Sequence, residues 1–291
     1  MLAIVIPFYK IIFFESTLLS LDNQINKNFN VYIGNDNSPD DPSTVIAKYE
    51  NKINIKYVDF QNNFGKSSLV KHWERCIEMI NDEEWVMILG DDDELSEGVV
   101  EMFYNYLNKE INVIRFSSCK INDKSEKISS IYVNPIIESS TDFIFRETRS
   151  SLSEYIFNKK QIDKIGFKRF PLAWFSDKLA VLEFSNFKDI FSINEAVVYV
   201  RISNQSISGI QSNYREKWIA TFEFYYYLIS SKKNFFTKIQ QKKLIEQLSK
   251  TYMNDKKHPI NFLKISKIFL VNLNVLDYLK FIKSIYKSVI N

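Results

Sequence analysis

The sequence is poor in the residues that make disordered, fibrous or disulfide-rich chains. Glycine and proline each occur six times in 291 residues, which argues against extended disorder and against a fibrous repeat. The two cysteines, Cys76 and Cys119, lack metal-ligand spacing, so we expect two buried thiols in a reducing compartment. A formal net charge of +3 is too small to indicate a nucleic-acid partner.

Long apolar runs are absent too. No run approaches the roughly 20 apolar residues that a helix needs to cross a bilayer. The N-terminal stretch MLAIVIPFYK has no basic residue ahead of its apolar run, and Pro7 ends that run, so it does not match a signal peptide. We therefore expect a cytoplasmic protein, either free or resting on the inner face of the membrane.

The first half of the chain alternates strand-like and helix-like segments. Strand patterns cover 2–7, 30–36, 53–59, 86–89 and 111–119, and helical patterns cover 17–24, 42–50, 67–80 and a stretch from about 96. This alternation predicts an α/β fold with a mostly parallel sheet flanked by helices. Such sheets bind their ligands at the carboxyl ends of the strands.

The remainder is less regular at first and then helical. Over 120–165 we expect loops, a helix near 139–147 and an antiparallel edge strand, followed by a helix from about 176 and a strand over 190–203. From about 214 the pattern predicts helices rich in lysine and aromatic residues. In 275–290 apolar residues recur at helical spacing opposite lysines. This stripe predicts a packing face, and the alternative is a basic amphipathic helix on an anionic membrane.

Four clusters of residues suited to binding follow predicted strands of the first half, each at the point where the strand ends. The clusters are PFY at 7–9, NDNS at 35–38, QNNFG at 61–65 and DDD at 91–93. Three consecutive aspartates repel one another, and a cation would relieve that repulsion. The alternative is a solvated acidic turn before a helix.

Several nucleotide-binding motifs are missing. The stretch PFYKIIFF after the first strand has no glycine, which excludes a G-x-G-x-x-G dinucleotide site and the glycine-rich loop of sugar-nucleotide pyrophosphorylases. The stretch FGKSS lacks the earlier glycine of a P-loop, and DDDELS lacks the alternation of a calcium loop.

The pattern that remains resembles the family 2 glycosyltransferases. The resemblance lies in IVIPFYK, NDNSPDD, NNFGKSS with HWERC, ILGDDDEL and FPLAWFSDKLA, in this order. It implies a GT-A fold over 1–210, with 211–291 as a helical C-terminal extension outside the resemblance. It also implies a nucleotide-sugar donor.

The family's nucleotide site can be carried over residue by residue. The resemblance implies that Pro7 and Tyr9 wall the base and that Asp36 hydrogen-bonds it, while Asn63 and Gly65 belong to a loop that closes on the nucleotide. The alternative for Asp36 is a turn-forming side chain, which NDNSPD would also suit. The Ala-Arg-Asn that usually follows this loop in the family is absent here.

The aspartates resemble the DXD motif of the family. The resemblance implies Asp91 on the ribose side and Asp93 on a divalent metal, Mn²⁺ or Mg²⁺, with Asp92 able to serve either role. Carboxylate and phosphate oxygens together suit such hard cations.

Four residues of the later part complete the implied site. Asp177, in AWFSDKLA, matches the catalytic base, and its alternative is a carboxylate at a helix terminus. Trp174 and Phe175 beside it would stack on the acceptor sugar. Arg201 could pair with the donor diphosphate or form an ordinary ion pair within the protein.

We therefore expect a metal-dependent inverting glycosyltransferase. Its partners would be a nucleotide-sugar donor, with UDP-sugar first, and a glycan or lipid-linked acceptor of cell-surface polysaccharide, with membrane contact through the C-terminal helices. The alternatives are a nucleotide-sugar hydrolase or nucleotidyltransferase, and a non-catalytic protein that binds glycan or nucleotide.

Overall fold

The computed structural model describes residues 1–107, 110–203, 213–254, 259–271 and 275–290. The chain divides into two compact units, the first made of Met1–Arg169 with Ser176–Gln211 and the second of Phe170–Phe175 with Ser212–Asn291. The sequence predicts a boundary at 210/211, and it gives no sign that the short segment 170–175 groups with the C-terminal helices.

The strands all belong to the first unit. They are β1 Leu2–Phe8, β2 Phe29–Asn35, β3 Ile55–Asp59, β4 Trp85–Ile88, β5 Glu94–Leu95, β6 Val113–Ile121, β7 Ile137–Ser139, β8 Tyr155–Asn158 and β9 Asp189–Arg201. Its helices are α1 Phe14–Asp22, α2 Ser43–Ile46, α3 Leu69–Ile77, α4 Val99–Tyr106, α5 Ser140–Phe143, α6 Lys159–Ile165 and α7 Ser176–Phe184. The helix predicted over 139–147 is thus a single turn.

Within the described residues these strands form one sheet in the order β3-β2-β1-β4-β8-β6-β9-β5, with β7 also paired to β9. Strands β1 to β4 are mutually parallel, as the alternating pattern predicts. The antiparallel edge strand expected over 120–165 is β7, which pairs antiparallel with β9 alone. The strand β8 comes from the same segment and is also antiparallel, but it lies in the sheet interior between β4 and β6, which the sequence did not predict. Its buried residues Tyr155, Ile156 and Phe157 suit a position covered on both faces.

The core of the first unit forms on the faces of this sheet. Residues 2–6 of β1 are all fully buried, which explains why that strand is a continuous apolar run. Gly34 of β2 lies directly beneath α3, since a Cβ there would stand 2.4 Å from the Sγ atom of Cys76. Cys76 and Cys119 are both buried free thiols, as the sequence predicts.

The second unit consists of helices joined to the short loop 170–175. They are α8 Tyr214–Ser231, α9 Lys238–Asn254, α10 Pro259–Val271 and α11 Val275–Ile290. The ring of Phe269 on α10 packs against Tyr278 and Phe281 of α11, with both pairs of ring centroids 5.5 Å apart. No helix among the described residues combines the length and the apolar content that crossing a bilayer takes.

The packing face of α11 differs from the prediction. The helix packs through Tyr278 and Phe281, whereas most of the predicted apolar stripe is exposed. The exposed members of that stripe are Val275, Leu276, Leu279 and Tyr286. The pattern was misleading because the helix carries apolar residues on two sides, and periodicity does not tell which side is covered.

Candidate active site

The polar clusters predicted from the sequence meet at one edge of the sheet. Strands β3, β2, β1 and β4 are adjacent and parallel, so their carboxyl ends lie side by side. The register sets Phe8 of β1 opposite Asn35 of β2, and Asn35 opposite Asp59 of β3. The loops that follow these strands therefore converge.

Asp91 ties the end of β4 to the end of β1. Its Oδ2 atom accepts hydrogen bonds from the backbone N–H groups of Tyr9 and Lys10, each at 2.8 Å. The Ser38 hydroxyl, which follows β2, donates to the Tyr9 carbonyl at 2.6 Å. Tyr9 directly follows β1 and remains 40% exposed, so its ring can still meet a ligand.

Asp36 organises the loop that follows β3. Its carboxylate accepts from the backbone N–H groups of Phe64 and Gly65, both at 2.7 Å. The approach is so close that a Cβ on Gly65 would stand 2.5 Å from the Oδ2 atom of Asp36. Asn63 closes the same loop by accepting from the Lys66 N–H at 2.7 Å. Burial raises the pKa of Asp36, although the two backbone hydrogen bonds and the nearby Arg75 charge oppose this.

Arg75 is a member of this site that the sequence did not single out. It forms an ion pair with Asp36, and its guanidinium lies over the rings of Phe60 and Phe64 at 4.0 and 4.4 Å. Its Nε–H donates to Nδ1 of His72 at 3.0 Å. His72 is buried, and burial followed by the Arg75 charge lowers its pKa to about 3, so it is neutral. The only signal for Arg75 was its place one helical turn beyond His72.

Asp93 is the most enclosed of the three aspartates, with 4% of its surface exposed. The Ser153 hydroxyl donates to its Oδ2 atom at 2.5 Å, and the Arg201 backbone N–H donates to its Oδ1 atom at 2.9 Å. Burial raises the pKa of Asp93 and of Asp91. The pKa of Asp92 is raised well above the usual range, first by burial and then by the charges of Asp93 and Asp91.

The side chain of Arg201 makes its contacts with other groups of the protein. Its side chain is fully buried, with Nε donating to the Asp92 carbonyl at 2.9 Å and the guanidinium forming an ion pair with Glu94. The guanidinium also donates to the Asn122 carbonyl and lies 4.4 Å from the ring centre of Phe13. These contacts correspond to the internal ion pair, one of the two roles that the sequence left open for Arg201.

Asp177 lies in the first turn of α7 and contacts the same loop that holds Asp93. The Ser150 hydroxyl stands 3.5 Å from the Oδ2 atom of Asp177 and shares a hydrogen bond of 2.8 Å with the Tyr155 hydroxyl. Burial raises the pKa of Asp177, while the Lys178 charge opposes it. Residues 150–153 thus link the carboxylate predicted as the base to the one predicted as the metal ligand.

A buried ion cluster anchors that linking segment. Glu154 is fully buried, and its Oε1 atom lies 3.0 Å from Nη1 of Arg149. Arg115 of β6, also buried, donates from Nη2 to the Arg149 carbonyl at 2.8 Å. Burial raises the pKa of Glu154 to about 7 despite both arginines. No sequence motif marked these residues.

The two predicted acceptor residues belong to the second unit. The Lys217 ammonium lies 4.9 Å from the Trp174 ring centre, and the Phe175 ring stacks on Phe224 at 4.6 Å. Leu172, Ala173 and Phe175 all have positive φ angles, of 57°, 53° and 70°. Side chains other than glycine rarely adopt this conformation, and such strain clusters at functional sites.

The aspartates suit a divalent cation. They supply hard carboxylate oxygens, and their raised pKa values mean that a nearby positive charge would stabilise the ionised forms. In the part of the chain that the structure describes, no three carboxylate, imidazole or thiolate side chains already surround a common point.

Comparisons with known proteins identify the family. The sequence matches the family model "Glycosyl transferase family 2" over residues 3–180, and no curated protein matches it. The structure of S. aureus TarS 1–349 with UDP-GlcNAc is similar, with a TM-score of 0.63 and 13% identity, covering 92% of this chain and 79% of that one. Mannosyltransferase PcManGT from Pyrobaculum calidifontis, in complex with GDP-Man and Mn²⁺, has a TM-score of 0.52 and 11% identity, covering 93% and 74%. The two structures share the fold with this chain, the GT-A fold, and the chain belongs to glycosyl transferase family 2, a family of glycosyltransferases.

Proposed function

We propose that the protein transfers a sugar from a UDP-sugar to the hydroxyl of a glycan or lipid-linked acceptor, with inversion at the anomeric carbon. The observation that supports this most directly is the segment 150–153, which contacts both Asp93 and Asp177. The proposed metal ligand Asp93 and the proposed base Asp177 thus both contact one short segment. Inverting transfer needs these two groups close to one donor.

The nucleotide would bind at the carboxyl ends of β1, β2 and β3. Tyr9 presents an exposed ring beside the backbone that holds Asp91, and Pro7 precedes it at the end of β1. Asp36 would accept from the base, and its loop through Asn63 and Gly65 would close over the nucleotide. UDP is the first candidate because the similar TarS structure contains UDP-GlcNAc.

The pyrophosphate would lie at Asp91, Asp92 and Asp93. Asp93, oriented by Ser153 and by the Arg201 backbone, would bind a divalent ion, and Asp92 would be the second candidate ligand. Such an ion, present as Mn²⁺ in the similar PcManGT structure, would neutralise the charge that develops on the departing diphosphate. Asp91 would face the ribose. A contact of Arg201 with the diphosphate stays a prediction.

Asp177 would act as the base. It would accept the proton of the acceptor hydroxyl while that oxygen bonds to the anomeric carbon, and the bond from this carbon to the diphosphate oxygen would break on the opposite face. The raised pKa of Asp177 makes its carboxylate a stronger base than that of an ordinary aspartate. Trp174 and Phe175, just before it in the chain, would contact the acceptor sugar.

The variant Asp177→Asn tests this assignment. We expect transfer to fall ~100- to 10,000-fold, the usual contribution of a general base, while UDP affinity with Mn²⁺ stays close to that of the wild type. Product would be followed by chromatography with a panel of glycan and lipid-linked acceptors, and UDP binding by calorimetry. The control is Asp163→Asn on α6, an exposed carboxylate whose ion-pair partner is Lys159.

The outcomes separate the alternatives. Release of free sugar from the donor alone, without any acceptor, would identify a hydrolase. Exchange of the nucleotide with pyrophosphate would identify a nucleotidyltransferase. Binding of donor without turnover in wild type and variant alike would identify a non-catalytic binding protein.

A further inference from the structure

Charge is distributed very unevenly along the chain. Residues 213–291 contain fifteen lysines and arginines against five acidic residues, whereas residues 1–212 contain 23 basic against 30 acidic residues. The small overall charge of +3 is therefore the sum of an acidic larger part and a C-terminal part with an excess of ten positive charges. An asymmetry of this size indicates an anionic partner for the basic part.

Helix α10 has one buried side and one exposed apolar side. Ile265, Ile268 and Phe269 are buried. The opposite side presents large apolar residues that are 59–66% exposed, namely Ile260, Leu263, Leu270 and Val271. These positions are spaced by three, seven and eight residues, so they share one helix face, and the exposed Lys267 lies among them.

Helix α11 repeats this arrangement. It packs on α10 through Tyr278 and Phe281, and the Tyr278 hydroxyl donates to Ser266 at 3.1 Å. Its other side carries a second apolar stripe, in which Leu276 is 74% exposed and Leu279 is 59% exposed. Exposed lysines flank that stripe at positions 280, 283 and 287.

We propose that the exposed faces of α10 and α11 bind the surface of an anionic phospholipid bilayer. Transfer of large apolar side chains from water to the boundary between lipid headgroups and acyl chains is favourable. The flanking lysines can extend their ammonium groups back to the lipid phosphates. A surface that combines exposed leucines with lysines fits a lipid bilayer better than nucleic acid. The phosphates of nucleic acid would pair with the lysines but would leave the leucines in water. The helices would lie on the membrane, since none that is described can cross it.

This inference deepens the proposed function, because a lipid-linked acceptor would be found at such a surface. Lipid binding itself does not require that function to be correct. Donor binding depends on the first unit, whereas the proposed surface lies wholly in the second. The two ideas can therefore fail separately.

The experiment is co-sedimentation of the full-length protein with vesicles. We expect binding to vesicles of phosphatidylglycerol and phosphatidylcholine in equal parts, and little binding to phosphatidylcholine alone. Replacing Lys280, Lys283 and Lys287 with glutamine should weaken binding on the order of 100-fold, because each lysine near an anionic surface contributes a factor of about five. Leu276→Ser with Leu279→Ser should weaken binding to the same vesicles.

The matched control replaces three exposed lysines of the first unit, Lys124, Lys160 and Lys188, with glutamine. This variant changes the net charge equally and should bind vesicles like the wild type. Calorimetry with UDP and Mn²⁺ on the same preparations reports the donor site independently. Equal weakening by both lysine triples would overturn the proposal. Binding of duplex DNA as tight as binding of the anionic vesicles would also overturn it. The same holds if the leucine substitutions abolish self-association of the protein and leave vesicle binding unchanged.

Discussion

At the scale of single residues, Ser153 is the least conspicuous part of the candidate site and the best placed. Its hydroxyl donates to one oxygen of Asp93 and also accepts from the Gly90 N–H at 3.1 Å. One side chain thus fixes both the start of the aspartate triplet and its last carboxylate. The loss of a group that orients a metal ligand in this way typically lowers metal affinity about 10- to 100-fold.

We expect Ser153→Ala to lower the affinity for Mn²⁺ in the presence of UDP about 10- to 100-fold, the usual cost of losing such a supporting hydrogen bond. Calorimetric titration of Mn²⁺ into the UDP-containing protein measures this, and excess chelator should abolish the signal in the wild type. Ser151→Ala, two residues away in the same segment, is the control and should bind Mn²⁺ normally. Equal Mn²⁺ affinities in Ser153→Ala and wild type would contradict the proposed role of Asp93 as a metal ligand.

The residues that the sequence predicted differ in kind from those it missed. The aspartates at 91–93 stand out because like charges seldom follow a buried strand without a reason. Ser153 and Arg75 carry no such mark, because serine and arginine are common on any surface. Their partners are set by contacts across 60 and 39 positions of the chain. Only the folded structure brings those positions together.

At the scale of elements, the parallel part of the sheet was predictable and its antiparallel insertion was not. Strands β1 to β4 alternate with helices at short spacing, and this pattern alone implies parallel neighbours. Strand β8 enters between β4 and β6 from a segment of irregular composition. Its four residues are too few for periodicity to decide, and its partners are far away in sequence.

The loop between β3 and α3 gives a prediction at this scale. Adding a Cβ by Gly65→Ala would place it 2.5 Å from an Asp36 oxygen, so the loop and the carboxylate must separate. We expect UDP affinity to fall about 10- to 100-fold, because hydrogen bonds to a charged group are lost. The measurement is UDP binding with Mn²⁺ present, together with the melting temperature to verify folding.

Gly98→Ala is the matched control for the loop variant. No heavy atom lies within 4 Å of a Cβ at Gly98, so UDP affinity should not change there. If Gly65→Ala bound UDP as tightly as Gly98→Ala, neither Asp36 nor its loop would contact the nucleotide.

At the scale of the whole molecule, the chain leaves the first unit at residue 170 and returns to it at residue 176. The change to lysine-rich helices after 211 marks the second unit clearly in the sequence. The excursion at 170–175 leaves no such mark, because six residues carry no periodic pattern. The backbone has positive φ at Leu172, Ala173 and Phe175. Phe170 and Phe175 pack on Phe224 within the second unit. The next residues, Ser176 and Asp177, begin α7 of the first unit.

This continuity means that a residue of the second unit should influence Asp177, the proposed base, through the chain. Phe224→Leu removes the ring on which Phe175 stacks, with centroids 4.6 Å apart, and so loosens the segment that leads into Asp177. We expect kcat for transfer to fall about 10- to 100-fold, since small displacements of a reacting group are costly, while the KM for the donor stays unchanged. Phe222→Leu on the same helix, whose ring stacks on Tyr226, is the control of equal size. The comparison requires that both variants have melting temperatures close to that of the wild type. Equal kcat values in the two variants would mean that the second unit does not position Asp177, and that its role is confined to surfaces of its own.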